Sequence, residues 1–196
     1  MAAFADYLDL RLAVSERTGN TALPDVMPRF VQMAETDLNR EIRHSAMVKE
    51  ATLAFTDGVA LLPVDFLEFE DVYNHMGCAM RQGLLSEVRQ ASKLYTVFAV
   101  NEAQVHTYGY TGSLTSHYYA KLPTLTAGPT VSNWLLATYP NAYFSATLYH
   151  AAKHLRDAEL AQEAMRDLRM ELRMIRADDE RIRFARSAVT VQGATV

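Results

Sequence analysis

The sequence lacks the residues that build disulfide-bonded, membrane-spanning or secreted proteins. Cys78 is the one cysteine among 196 residues, which excludes an internal disulfide framework and a zinc site made of cysteines. No apolar run is long enough to span a bilayer. Asp6, Asp9 and Arg11 interrupt the first residues, where a signal peptide would need an apolar segment. We therefore expect a soluble product of a reducing cytosol with no membrane partner.

The sequence also has few glycines and only a small net charge. Gly77, Gly83 and Gly109 stand alone, outside the strand-to-helix context of a phosphate-binding loop. The formal net charge of −4 provides no overall basic field to hold nucleic acid. With 49% hydrophobic and 21% charged residues, the composition is that of a globular protein of one domain, with or without an insertion.

The most informative pattern that is present lies near the carboxyl end. Asp157 is a plausible start for a helix that runs to Arg186, unless Asp178, Asp179 and Glu180 break it. At 100° per residue, its apolar residues fall in one arc. These residues are Ala161, Ala164, Met165, Leu168, Leu172, Ile175 and Ile182. An unbroken helix of this length would extend beyond a compact domain, so one end is expected to project.

Charges of opposite sign lie on the two sides of this arc. We predict that they form a subunit interface made of Arg166, Arg169, Arg173 and Arg176 on one side and Glu163, Asp167 and Glu171 on the other. Like charges four residues apart repel weakly on an isolated helix, so segregation suits a contact in which acid meets base on a neighbouring copy. Contacts between two different surfaces can close a ring. A solvated charged surface is the simpler alternative.

Two further helices are predicted at the amino end. The first spans Phe4 to Arg17, with Phe4, Leu8 and Leu12 facing inward and Tyr7 as a further candidate, and Gly19-Asn20 ends it. The second begins after Asp25, with Pro28 in its first turn. Its expected buried stripe is Phe30, Met33, Ala34, Leu38 and Ile42.

The middle of the chain, about 46–122, alternates in the manner of β-strands. We predict an antiparallel sheet of four to six short strands, with a hairpin turn at Thr56-Asp57-Gly58. Helix resumes at Ser132 or Asn133, and Pro140 to Leu155 carries an aromatic core face. The predicted fold is therefore mainly α: a helical bundle with a small inserted antiparallel β region, a long C-terminal helix and an extended tail. The predicted domain organisation is a single helical domain over 1–186 and a flexible tail over 187–196.

Catalytic chemistry has only weak candidates. His150, His154 and Asp157 would share a helix face and could hold zinc or iron, although packing is the stronger interpretation. Glycoside hydrolysis needs two carboxylates across a cleft, and the acidic strand residues Glu68, Glu70 and Asp71 supply only a weak case for it. Cys78 has His75 nearby, but sequence neighbours rarely form a nucleophile and base. We expect no catalytic residue, no bound metal and no cofactor.

Three stretches resemble the head–tail adaptor (connector) proteins of tailed bacteriophages and related gene transfer particles. They are LPDVMPRFVQMAETDLNREIR at Leu23–Arg43, LLPVDFLEFEDVY at Leu61–Tyr73, and SNWLLATYPNAYFSATLYHAAKHLRDAELAQ at Ser132–Gln162. The resemblance implies a mostly helical fold with a small β region. It also implies a ring, typically of twelve copies, beneath the portal. Such a ring extends the DNA channel and offers a surface to the next tail or adaptor protein.

The resemblance also implies how the carboxyl end is used, because in such proteins it reaches the portal. Here that region contains Ile182, Arg183, Phe184, Arg186, Val189, Val191 and Val196. DNA would pass through the channel without sequence-specific binding, which suits the mildly acidic charge. The expected location is the head–tail connector of the virion, after assembly in the host cytoplasm. The alternative function is an infection-associated hydrolase, either cell-wall or metal-dependent.

Overall fold

The computed structural model describes residues 4–19, 23–90 and 96–192, with residue 24 and residues 186–192 described as backbone only. The chain forms two compact units, one made of 1–46 and 122–196 and the other of 47–121. Within the described residues, no helix combines the length and the apolar character that a membrane crossing requires.

Helix α1, Tyr7–Thr18, begins three residues later than predicted and ends at Gly19, as predicted. The Asp6 carboxylate caps it by accepting the backbone N–H groups of Leu8 and Asp9, and Gly19 ends it in the left-handed conformation. The predicted inward face is wrong for Leu8 and Leu12 and correct for Tyr7. Tyr7, Leu10 and Val14 are buried, whereas Leu8 and Leu12 are exposed. Apolar residues lie on two faces of this helix, so spacing alone could not tell which one is buried.

Helix α2, Met27–Glu41, follows a short 3₁₀ turn at Leu23–Asp25. Pro28 lies in its first turn, as predicted, but Val26 rather than Asp25 is the capping residue. The stripe of Phe30, Ala34, Leu38 and Ile42 is buried, as predicted. Met33 is half exposed, which contradicts the prediction for that residue.

The other helices of this unit lie near the carboxyl end. Asn133 caps α4, Trp134–Thr138, and Pro140 begins α5, Pro140–Leu155. The Asp157 carboxylate caps α6, Ala158–Gln192, by accepting the Leu160 N–H. This helix is unbroken at Asp178-Asp179-Glu180, and it continues past Arg186, so the predicted extended tail is wrong as far as Gln192.

In its described residues, 47–90 and 96–121, the β unit contains seven strands and one short α-helix. The strands are β1 Val48–Phe55, β2 Val59–Leu61, β3 Phe66–Val72, β4 Arg81–Gln82, β5 Val97–Asn101, β6 Gln104–His106 and β7 Gly112–Ala120. Helix α3, Leu85–Gln90, precedes β5. The strands form a three-stranded sheet in the order β1-β7-β3 and a four-stranded sheet in the order β2-β6-β5-β4.

The predicted turn is present, but the strands on either side of it enter different sheets. Asp57 and Gly58 both have positive φ, and Thr56 bridges to Val59. Strand β1 then pairs with β7, in the register Val48 to Tyr119, while β2 pairs with β6. Residues of both sheets share one core, which includes Leu53, Phe69, Phe98, Val105 and Leu114.

The mainly α fold class is therefore wrong, because the chain is a mixed α and β protein. The alternating runs correctly located most of the strands. Local alternation could not show that β1 pairs with a strand some sixty residues later, or that β4 runs parallel to β5. These pairings turn the predicted small insertion into a unit of two sheets with a hydrophobic core of its own.

Candidate subunit and partner interface

The apolar arc of α6 is used inside the helical unit. Ala164, Leu168, Leu172 and Ile175 are buried, and α6 packs mainly along α5. Ile182, at the end of the same arc, is exposed. The apolar arc of α6 is thus largely part of the core. The charged sides of the helix remain available for contacts with another molecule.

The basic side of α6 is exposed and largely unpaired. Arg166, Arg169 and Arg173 are solvent-exposed, and none makes an ion pair with the residues that the structure describes. Arg176 differs, because its guanidinium lies 3.1 Å from the Glu41 carboxylate of α2. These three arginines lie together, and no carboxylate among the described residues of their unit neutralises them.

The acidic side is partly occupied by the same chain. Both Glu163 carboxylate oxygens accept from Arg17 of α1 at 2.8 Å. Glu171 accepts from the Asn141 amide at 3.3 Å, and Asp167 is exposed. The carboxyl end of α1 therefore meets the acidic side of α6 at Glu163, while α1 packs mainly on α5. The two sides are less symmetric than the sequence indicated. Among the described residues, two of the three acidic side chains have a partner in their own unit, but only one of the four arginines does.

The exposed arginines border a groove between α5 and α6, which we call the basic groove. Its apolar part contains Tyr149 of α5 with Met165 and Met170 of α6, and its volume is about 680 Å³. Its charged rim consists of Lys153, Arg166, Arg169 and Arg173. The Lys153 ammonium lies over the Tyr149 ring, 5.1 Å from its centroid. Such a surface suits an apolar and acidic partner.

Further towards its carboxyl end, α6 is hydrogen-bonded to the segment that follows α2. The buried Asp179 carboxylate accepts the Ser45 backbone N–H at 2.7 Å and the Arg183 Nε–H at 2.6 Å. Burial acts to raise the pKa of Asp179, but these hydrogen bonds and the Arg183 charge outweigh it, so the pKa is lowered. His44 stacks on Trp134 beside this carboxylate, and burial lowers its pKa.

Replacement of Asp179 by alanine is expected to destabilise the helical unit by about 1–3 kcal/mol at pH 7, because it leaves the Ser45 N–H without its acceptor. A carboxylate with a lowered folded-state pKa stabilises the fold above its unfolded pKa, about 3.9, and loses this effect as the pH falls through the folded value. The difference between wild type and Asp179→Ala in urea unfolding should therefore shrink below about pH 4.

The matched control for this prediction is Asp179→Asn, which retains an oxygen acceptor for the Ser45 N–H. We expect a smaller loss of stability at pH 7 than in Asp179→Ala. Equal stability of wild type and Asp179→Ala at pH 7 would contradict the proposed role of this carboxylate.

Beyond Arg183 the described side chains face solvent. Phe184 is 75% exposed, and Ala185 is exposed as well. The predicted portal-binding residues Arg186, Val189 and Val191 lie on the helix backbone, but their side chains are outside the described part. Val196 lies outside the described residues altogether.

The weaker catalytic candidates are placed apart from one another. His150 is buried with its Nε2 2.9 Å from an Asp37 oxygen, while His154 packs against the Phe30 ring. Asp157 caps α6. Among the residues that the structure describes, no three histidine, cysteine or acidic side chains are grouped so as to hold a metal ion.

The candidates of the β unit also have structural contacts. The Asp71 carboxylate lies 2.6 Å from His117 Nδ1, and Glu70 accepts from the Tyr119 hydroxyl at 3.3 Å. Glu68 lies on β3 beside them in sequence, and Cys78 is exposed.

Sequence reasoning missed residues that the tertiary structure brings to this surface. Lys153 and Tyr149 complete the basic groove, and Arg17 occupies the acidic side. The four-residue spacing of Tyr149 and Lys153 places them on one side of α5, but nothing in the sequence shows that this side borders the arginines. Leu8 and Leu12, which the sequence places in the core, are exposed in the structure.

Charges of opposite sign on the two sides of α6, the basic groove and the exposed Phe184 ring are surface features suited to contacts with other protein molecules. The family model of the SU10 adaptor protein matches residues 5–192, and the chain belongs to that family. No curated protein matches the chain. The family confirms the resemblance at the level of a phage adaptor, so the chain is a structural component of a phage virion.

Proposed function

We propose that this adaptor forms a ring, of about twelve copies, that docks beneath the portal, extends the DNA channel and provides the attachment surface for the next tail or adaptor protein. The observation that carries the proposal is the charge of α6. One side exposes Arg166, Arg169 and Arg173, which form no ion pair with described residues, and the other side carries carboxylates over the same stretch. Two different complementary surfaces on one subunit are what a head-to-tail contact requires, and such a contact closes into a ring when the rotation permits.

The end of α6 is proposed to bind the portal. Helix continues to Gln192, past the Asp179 contacts that fasten α6 to its own unit. Phe184 lies just beyond those contacts and exposes most of its ring. An aromatic side chain of this kind is a common anchor at protein interfaces, because it buries a large apolar area on binding.

Removal of residues 182–196 is expected to abolish binding to the portal protein of the same phage. Mixing the purified proteins should give a stoichiometric complex for wild type, measured by size-exclusion chromatography and electron microscopy, and none for the truncated chain. The buried stripe from Ala164 to Ile175 is retained, so circular dichroism should show a folded protein.

A point variant separates the loss of the anchor from the loss of the Asp179–Arg183 pair. Phe184→Ser retains Arg183 and is expected to weaken portal binding by about ten-fold or more. The matched control is Leu61→Ser, which changes an exposed apolar residue in the β unit. Normal docking by both the truncated chain and Phe184→Ser would refute the role of the carboxyl end.

A further inference from the structure

Helix α1 has more apolar surface than its own unit uses. Tyr7, Leu10 and Val14 are buried, while Leu8 is 40% and Leu12 is 54% exposed. A helix at the surface of a monomer needs one apolar face, and a helix that is apolar on opposite faces is typical of burial between two surfaces. The second face of α1 therefore has the character of a contact that the isolated subunit does not make.

The charges around this second face are acidic. Asp9 and Glu16 are exposed beside Leu8 and Leu12, and together these four residues define the outer face of α1. Arg17 is already paired with Glu163. Two leucines four residues apart, flanked by carboxylates, form an apolar and acidic helix face of the kind that lies in a complementary groove.

The basic groove has the matching chemistry on the same subunit. Its apolar part can receive leucine side chains, and its rim of Lys153, Arg166, Arg169 and Arg173 can pair with carboxylates. The phosphates of DNA would also suit the rim, but they would gain nothing from Met165 and Met170. The apolar part favours a protein occupant.

In the described part of one subunit, the outer face of α1 does not fill this groove. Arg17 joins α1 to α6 at Glu163, and no described residue of α1 lines the basic groove. We propose that the outer face of α1 in one copy docks into the basic groove of the next copy. This inference rests on the proposed ring, and it names the segment that fills the groove.

Cysteine cross-linking on the full-length chain tests the contact directly. In a Cys78→Ser background, Leu12→Cys and Met170→Cys place one thiol on the outer face of α1 and one on the groove. We expect the double variant, oxidised after assembly on the portal, to give a ladder of cross-linked oligomers beyond the dimer. Each single variant should stay monomeric on a denaturing gel, because a head-to-tail contact does not bring identical positions together.

A substitution tests the energetic role of α1. Leu12→Gln is expected to raise the concentration needed for ring formation by about ten-fold, since it removes a leucine from the contact. Its matched control is Leu84→Gln, another exposed leucine, in the β unit. Both variants should remain folded, because both side chains are already largely exposed.

The possible results are distinguishable. Rings on the portal without a cross-linked ladder, or with unchanged assembly of Leu12→Gln, would overturn the α1 contact and leave the proposed function intact. Dimers from a single-cysteine variant would show that like surfaces meet, which overturns the head-to-tail contact. Binding of a short DNA duplex that is lost in Arg169→Glu, with Leu12→Gln assembling normally, would assign the groove to phosphates. Failure of the wild type to form rings would count against the proposed function itself.

Discussion

The double variant Arg169→Glu/Arg173→Glu is expected to assemble at least about 100-fold more weakly than wild type, because like charges brought together across an interface cost several kcal/mol. Both side chains are exposed and make no ion pair with the described residues, so the fold should be unaffected. Rings on the portal, counted by electron microscopy, provide the measurement. Thermal unfolding followed by circular dichroism checks that the subunit is intact.

Rescue by mixing makes this prediction specific to complementary surfaces. Asp167→Arg/Glu171→Arg reverses the charge of exposed Asp167 and half-buried Glu171 on the other side of α6 and should also fail to assemble alone. An equimolar mixture of the two variants is expected to form rings in which they alternate, because the two sides of α6 that meet between neighbouring copies then carry opposite charges. Arg40→Glu/Arg89→Glu makes the same change in net charge at exposed positions elsewhere and is expected to assemble normally. Normal assembly of the first variant would leave α6 with only a solvated charged surface.

Tyr143→Ala is expected to have the largest effect on the stability of the helical unit, a loss of about 3–5 kcal/mol. The Tyr143 ring is fully buried on α5, and its hydroxyl accepts from the Asn133 amide at 2.8 Å. Burial raises the pKa of this hydroxyl above its ordinary value. Trp134 is the one tryptophan of the chain and lies in the same unit, so its fluorescence during urea unfolding measures this unit separately from the β unit.

Two controls separate the contribution of the Tyr143 aromatic ring to stability from that of its hydroxyl and from that of another tyrosine on α5. Tyr143→Phe should cost only about 1 kcal/mol, since Asn133 keeps its second hydrogen bond, to the Pro123 carbonyl. Tyr149→Ala, also on α5 but half-buried at the basic groove, should unfold nearly as wild type and yet assemble less well. Similar unfolding of Tyr143→Ala and Tyr149→Ala would contradict the assignment of Tyr143 to the core.

Local signals were sufficient where one residue determines a boundary. Gly19, Asn133 and Asp157 end or begin their helices as their chemistry indicates. The face of α1 was not predictable in this way, because Leu8 and Leu12 keep the same helical spacing as a buried stripe. Only the packing of α1 in the folded unit distinguishes them from Leu10 and Val14.

The β unit shows a different limit. Strand positions follow from alternation along the chain, but sheet membership depends on partners that are distant in sequence. Thr56 to Val59 forms the turn that the Asp-Gly pair indicates, yet β1 and β2 separate into two sheets. The fold class was predicted wrongly because the positions of strands do not show which strands pair to form a sheet.

The charged surface of α6 could be described only in part from the sequence, because part of it depends on tertiary contacts. A period of 3.6 residues is enough to sort the arginines and carboxylates of α6 onto two sides. It cannot show that Lys153 joins the arginines, or that Arg17 neutralises Glu163, because those contacts depend on how α5 and α1 lie against α6.

The continuity of α6 has one more consequence. From Ala158 to Gln192 the helix contains neither glycine nor proline, and its first half is embedded in the core while its second half leads to the exposed Phe184. In a continuous helix without a flexible point, a tilt or rotation of one end also moves the other end. Occupancy of the far end and the alignment of adjacent copies should therefore be thermodynamically linked, each strengthening the other by an equal factor. Cooperative assembly would then be a property of a single stiff segment.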